Sequence, residues 1–306
     1  MEIKWDAHTK KHMELKENQG VTYLSYPDFE TLPGFYHGFS TRLGGVSQGI
    51  YASMNLSFQR GDKEAHVREN YRRIARALDF SLEKAVCSQQ THTANIRMVT
   101  GEDGGKGIIR PLDYQDVDGL MTNEEGVTLI TSFADCVPLF FIDPVHRAVG
   151  LAHSGWRGTV ARIGAHMVEQ MSEHFHSEPS QLYTAIGPSI CQDCYEVSQD
   201  VALEFQEEFP GHAQEPELLY EKKPGKYQLN LWRANEIVLL EAGVSPGHIL
   251  FPGICTCCNP NLLFSHRASQ GKRGNLSAFL GIRRQWNNCI KTTKLNRRYY
   301  INITKR

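Results

Sequence analysis

The chain has 306 residues, 41% hydrophobic and 10% aromatic, enough to bury one large core or two ordinary ones. Its 33 Lys and Arg stand against 34 Asp and Glu, for a formal net charge of −1, so no overall field steers it onto nucleic acid or an anionic membrane. The opening 20 residues, MEIKWDAHTKKHMELKENQG, form a polar segment without the apolar run of a secretory signal, and no later run reaches the roughly 20 residues of a membrane span. A cytoplasmic protein with a small-molecule partner, monomeric or a small homo-oligomer, is the expectation.

In chain order, HVRENYRRIARALD (66 to 79) places Val67, Tyr71, Ile74, Ala75 and Leu78 on one helical face. The runs VTLITSF (127 to 133), VPLFFI (137 to 142) and AVGLAH (148 to 153) read as strands, followed later by LYTAIG (182 to 187) and HILFPGI (248 to 254). Several are apolar on both alternations, the pattern of a sheet buried on both faces. Val160, Ile163, Met167, Val168 and Met171 recur at helical spacing up to Phe175. Further helices are expected near 199 to 209 and 231 to 242, the second with Asn230 as N-cap and Gly243 as stop. The polar stretch 210 to 227 reads as a long surface loop. Strands and helices interleave without a regular βαβ rhythm, and no Gly-rich nucleotide loop occurs. The expectation is a single mixed α/β domain, a layered sandwich, over 21 to 285.

Three stretches set a soft or imidazole ligand where a strand ends or a turn begins: SQQTH ending at His92, SFADC ending at Cys136 and LAH ending at His153. One Cys with two His suits a catalytic zinc, which takes three protein ligands and keeps a fourth position open. Taken singly, Cys136 reads as a small buried hydrophobe and His153 as a core residue closing a strand. Their company of Asp135, Gln89, Gln90 and Arg157 favours a joint site, because a polar cluster is costly to bury without a purpose. CQDC (191 to 194) has the C-x-x-C spacing of redox or zinc sites, but without a matching pair nearby in the chain it reads as structural.

HGFSTRLGGVSQGIYASMNLS (37 to 57), SQQTH (88 to 92), DGLMT and TSFADCVPLFF (118 to 141), AHSGWRG (152 to 158), IGPSICQDCYEV (186 to 197) and CTCC with LLFSHR (255 to 267) occur together in this order. Jointly they resemble the polyphenol oxidase, or laccase-domain, family, also called the YfiH or YlmD family, from about residue 35 to 285. The resemblance implies a YfiH-type layered α/β sandwich, a class that also holds a deamidating toxin domain with a Cys–His pair. It implies one zinc on His92, Cys136 and His153. It also implies purine nucleosides as substrates: phosphorolysis of adenosine, inosine, guanosine and methylthioadenosine by inorganic phosphate, with deamination of adenosine besides.

Phosphorolysis needs an anion site, and Arg42 and Arg157 are the candidates because guanidinium grips phosphate through two donors. Gly44, Gly45, Gly155 and Gly158 beside them let backbone approach a ligand closely. Asp135 is expected to act as a general acid or base, or to orient a ligand histidine. Phe264, His266 and Arg267 are placed at the cleft edge, and His37 fixes a turn or touches substrate. CTCC (255 to 258) could bind a metal too, yet it lies in a segment to which the resemblance assigns no zinc and reads as packing with redox sensitivity. Two alternatives stand beside this reading. A copper laccase oxidising phenols needs several His-x-His pairs, and the chain has only HFH (174 to 176). A metal-free hydrolase would use Cys136 as a thiolate activated by His153. Beyond LGIRRQ (280 to 285) a basic, aromatic tail (286 to 306) continues where family members usually finish, and it is given no function.

Overall fold

Strands that are apolar on both sides need a cover on both sides, and the chain supplies it by stacking two sheets between helices. The computed structural model describes residues 2–6 and 13–284. The first sheet runs β1 (Glu14–Asn18), β2 (Val21–Ser25), β3 (Phe35–Ser40), β15 (Leu276–Ile282), β7 (Thr128–Phe133), β4 (Ala85–Cys87). The second runs β14 (Ile249–Leu250), β10 (Tyr183–Ile186), β8 (Val137–Asp143), β9 (Ala148–Ser154), β6 (Gly119–Thr122), β5 (Ile96–Met98). Pairing is antiparallel except for β4 with β7, β5 with β6 and β10 with β14.

Along β8, Val137, Leu139 and Phe141 point into a helix-covered core, while Phe140 and Ile142 point the other way, onto Leu129, Phe133 and Leu280 of the first sheet. The alternation explains why both phases of this strand are apolar. Helices α4 (Ile163–Phe175) and α6 (Leu231–Glu241) close the second sheet with Met167, Val168, Met171, Ile237 and Val238. Helix α2 (Glu64–Leu78) closes the first with Val67, Tyr71 and Ile74 against Ile130 and Phe279. The result is the expected mixed α/β sandwich, in helix–sheet–sheet–helix order. Shorter helices α1 (Pro27–Glu30), α3 (Trp156–Val160), α5 (Gln199–Glu208) and α7 (His266–Ser269) join these layers. The start of α6 is set by Asn230, whose Oδ1 accepts the N–H groups of Trp232 and Arg233, and Gly243 ends the turn at φ +91°.

Three stretches differ from expectation. Within 248 to 254 only Ile249 and Leu250 join the second sheet, because Pro252 has no N–H to give a ladder and Gly253 turns at φ +58°. The 210 to 227 stretch is not one loop: β12 (Leu219–Lys223) and β13 (Lys226–Leu229) fold into a hairpin across Pro224 and Gly225, joined by β11 (Glu196–Ser198) in a small third sheet. The polar segment 1 to 20 contributes β1, paired with β2, and Trp5, bridged to Ile254. The tail 286 to 306 lies outside the described residues. Among the described residues no helix is long and apolar enough to cross a membrane.

Candidate active site

Strand β7 belongs to the first sheet and β8 to the second, so the turn Ala134–Asp135–Cys136 is where the chain crosses between them. His153 sits near the end of β9, paired with Pro138 of β8. His92 follows β4, the neighbour of β7. Three separate segments thus deliver one ligand each to a single point. The ligand atoms of His92, Cys136 and His153 lie within 4.8 Å of one another, and the two imidazoles stand 4.9 Å apart at 77°. A tetrahedral zinc with bonds of about 2.0–2.3 Å spaces its ligand atoms roughly 3.3–3.8 Å apart, so this donor set fits the ion in size and in softness. Gly155 keeps the point clear: a Cβ there would stand 3.0 Å from His92 Cδ2 and 3.2 Å from Cys136 Sγ.

The carboxylate that organises the cluster is Asp118, which the sequence reading passed over. Fully buried, it takes the N–H groups of Thr91, His92 and Thr93 at 3.0, 3.1 and 2.9 Å, and the Thr93 hydroxyl at 3.0 Å. Its Oδ1 also meets His153 Nδ1 at 2.8 Å, which leaves Nε2 of that ring for Cys136 and a metal. Burial alone would raise its carboxyl, but His153 and the backbone donors hold it below the usual range. Burial would likewise raise the Cys136 thiol, yet His153 and His92 bring it down to about 6. His153 responds in the opposite sense: burial would lower it, but Cys136 and Asp118 lift it to about 9. The pocket therefore favours the thiolate, the form that binds metal.

Asp135 stands beside Cys136 with φ +93°, and His92 has φ +68°; such backbone costs about 1–3 kcal/mol and persists only where neighbours enforce it. For Asp135 the enforcement is complete. Its carbonyl takes Ile190 N–H at 3.0 Å, and its carboxylate takes the Thr256 hydroxyl at 2.6 Å and Arg267 N–H at 2.7 Å. Asp135 thus braces its own turn, and the orienting of a histidine falls to Asp118 instead.

A cavity of about 740 Å³ opens over the cluster, with His92, Cys136 and His153 in its wall, and Gln89, Phe58 and Tyr114 among its other linings. The two arginines singled out from the sequence do not line it. Arg42 is turned to the fold: Nε donates to Ala52 O at 2.8 Å, Nη1 to Pro260 O at 2.7 Å, and the guanidinium lies 4.6 Å above the Phe264 ring. Arg157 is exposed on α3, stacked 4.2 Å over Trp156. Three arginines do line the cavity: Arg68 is bonded to Glu64 and the Ile108 carbonyl and Arg110 to the carbonyls of Gly104 and Glu102, whereas Arg273 keeps donor capacity. Burial and the charge of nearby Arg60 lower the pKa of Arg273 to about 10, and the Nε atoms of Arg60 and Arg273 are buried without a hydrogen-bond partner. Its setting, Gly271-Lys272-Arg273-Gly274, has the flanking glycines that drew attention to Arg42 and Arg157, and was a legible signal. His266 is near this pair, its pKa lowered by burial and by Arg273. Arg267 spends its side chain on the carbonyls of Cys194 and Glu196. Buried His37 accepts Tyr26 N–H at 2.8 Å, is held down to about 4 by burial, and fixes a turn.

A conserved-domain comparison now gives this architecture its class: the family model described as multi-copper polyphenol oxidoreductase laccase matches residues 36–283, and the chain belongs to that family. Within it, the purine nucleoside phosphorylase YlmD of Geobacillus stearothermophilus is 42% identical over 275 residues, 89% of this chain and 97% of that protein. The crystal structure of YlmD from the same organism superposes with a TM-score of 0.81 at 40% identity, covering 90% of this chain and all of the other. That of a Bacillus licheniformis hypothetical protein, YfiH, gives 0.82 at 33% identity over 88% of this chain and 99% of its own.

Proposed function

We propose that this chain is a zinc-dependent purine nucleoside phosphorylase that also deaminates adenosine, acting on adenosine, inosine, guanosine and methylthioadenosine with inorganic phosphate. The observation that carries the reading is the meeting of His92, Cys136 and His153 in the wall of a cavity large enough to admit a nucleoside and phosphate together. The name borne by the Geobacillus relative points the same way.

His92, Cys136 and His153 would hold the zinc, which supplies Lewis acidity at the reacting end of the cavity. Asp118 keeps the two imidazoles in place, one through Nδ1 and the other through its backbone N–H. Arg273, with Arg60 beside it, offers phosphate a half-buried guanidinium whose Nε–H has no partner to give up. This moves the phosphate role from Arg42 and Arg157 to a side chain on the cavity wall. Tyr114, fixed by its hydroxyl bond to Cys87 O at 2.5 Å and by the Arg97 guanidinium 4.6 Å over its ring, gives the cavity wall a rigid aromatic edge.

The test is a nucleoside panel assayed with and without phosphate. Free base and pentose 1-phosphate should appear only when phosphate is present, and ammonia from adenosine in either case. A zinc-loaded preparation inert toward every purine nucleoside would overturn the proposal.

A further inference from the structure

The two cysteine pairs set aside as packing come together in space. Strands β10 and β14 are parallel neighbours, so the turns that follow them leave the sheet on the same side, and Ser189 bridges Cys255 there. Cys191-x-x-Cys194 occupies the first turn and Cys255-x-x-Cys258 the second, 64 residues on. Their four Sγ atoms lie within 4.8 Å of one another, with Cys194 to Cys258 at 3.4 Å and Cys191 to Cys258 at 4.0 Å. Four thiolates around one zinc, at about 2.3 Å each, form a tetrahedron with edges of roughly 3.8 Å. The cluster is therefore sized for one ion, and an all-sulfur tetrahedral set selects zinc among the common divalent metals. All four are free cysteines, not disulfides.

The surroundings suit a charged cluster. Cys191 N–H donates to Cys255 Sγ at 3.2 Å, and Cys194 N–H closes its turn onto Cys191 O at 3.2 Å. The same two turns are the ones that hold Asp135. Ile190, before Cys191, gives its N–H to the Asp135 carbonyl, and Thr256, after Cys255, gives its hydroxyl to the carboxylate.

We infer that Cys191, Cys194, Cys255 and Cys258 bind a single zinc ion in a closed structural site, separate from the His92–Cys136–His153 cluster, that clamps two turns behind Asp135. The inference does not depend on the proposed activity.

The test uses full-length Cys136→Ala protein prepared with zinc under reducing conditions, a variant that removes the thiolate of the other cluster and leaves the four cysteines intact. About one zinc per chain should remain, against about two in the unmodified protein. Cobalt exchanged into the variant should give the intense sulfur-to-metal charge-transfer absorption of a tetrathiolate. Alkylation mapped by mass spectrometry should spare Cys191, Cys194, Cys255 and Cys258 until the metal is extracted. A zinc-free Cys136→Ala protein whose four thiols alkylate at once while it remains folded would overturn the inference, and so would a Cys194–Cys258 disulfide in freshly reduced protein. Neither result bears on phosphorolysis, which is read by the nucleoside panel in the unmodified chain.

Discussion

The two clusters of candidate metal-ligating side chains both adjoin Asp135, one through Cys136 next to it and the other through the two turns that hydrogen-bond it, and they are built on different plans. One joins a thiol to two imidazoles, faces a cavity, and is oriented by the buried carboxylate Asp118. The other is all thiol: Cys191 and Cys255 belong to the helix-covered core with Trp232, and Cys194 and Cys258 pack against it. A site that keeps a coordination position for a reactant needs its ligands aimed from outside, whereas a site filled by four protein ligands aims itself. The contrast predicts that damage to the first shows in chemistry, and damage to the second in the persistence of the fold around Asp135.

Cys136→Ala should show the largest effect. Phosphorolysis falls by roughly three orders of magnitude or more, as expected when a metal ligand is lost, while the thermal midpoint falls by no more than the loss of one bound ion accounts for, because the clamp behind Asp135 is untouched. Initial rates beside calorimetry decide this, and a collapse of the midpoint would merge the two sites into one. Asp118→Asn comes next. Replacing the charged acceptor of His153 should weaken zinc at the cavity about 10–100-fold, read by chelator competition, with the four-cysteine zinc unaffected. Arg273→Met should raise the phosphate KM about 10-fold or more, the loss of one charge-assisted bond of about 1.5–3 kcal/mol, at unchanged zinc content. Equal loss at saturating phosphate would return the guanidinium to a structural role. Thr256→Val is the smallest: losing the hydroxyl bond to Asp135 should cost about 1 kcal/mol in denaturant unfolding and reduce kcat modestly.

Much of the fold was legible because its centre is built by burial. Strand β8 is apolar in both phases since it lies between two cores, and α2 shows its stripe since one face meets Ile130 and Phe279. Strand β1 was invisible for the opposite reason: ELKEN lies mostly exposed at the sheet edge, made by backbone pairing with β2 and not by an apolar pattern. The hairpin of β12 and β13 hid in the same way, with β12 largely exposed. In the site, the three ligands could be named from their chemistry and position, but Asp118 could not be separated from other carboxylates. Its role comes from four donors that only the fold brings to it. Of the cysteines only CQDC was read as a C-x-x-C pair; its partner, Cys255-x-x-Cys258, lies 64 residues on, and what joins them, the parallel pairing of β10 with β14, is a property of the sheet.

The crossing turn at Cys136 gives the molecule a mechanical property as well as a chemical one. The two sheets are like facing pages, and Cys136 lies on the fold of the paper, with His153 on the second page and His92 in the segment that passes from β4 of the first page to β5 of the second, tied to His153 through Asp118. Any slip of one page against the other is converted directly into a change of distance at the thiolate. A zinc ion held there would act as a rivet through both, so loading it should slow amide exchange along β7 and β9 well beyond the cavity.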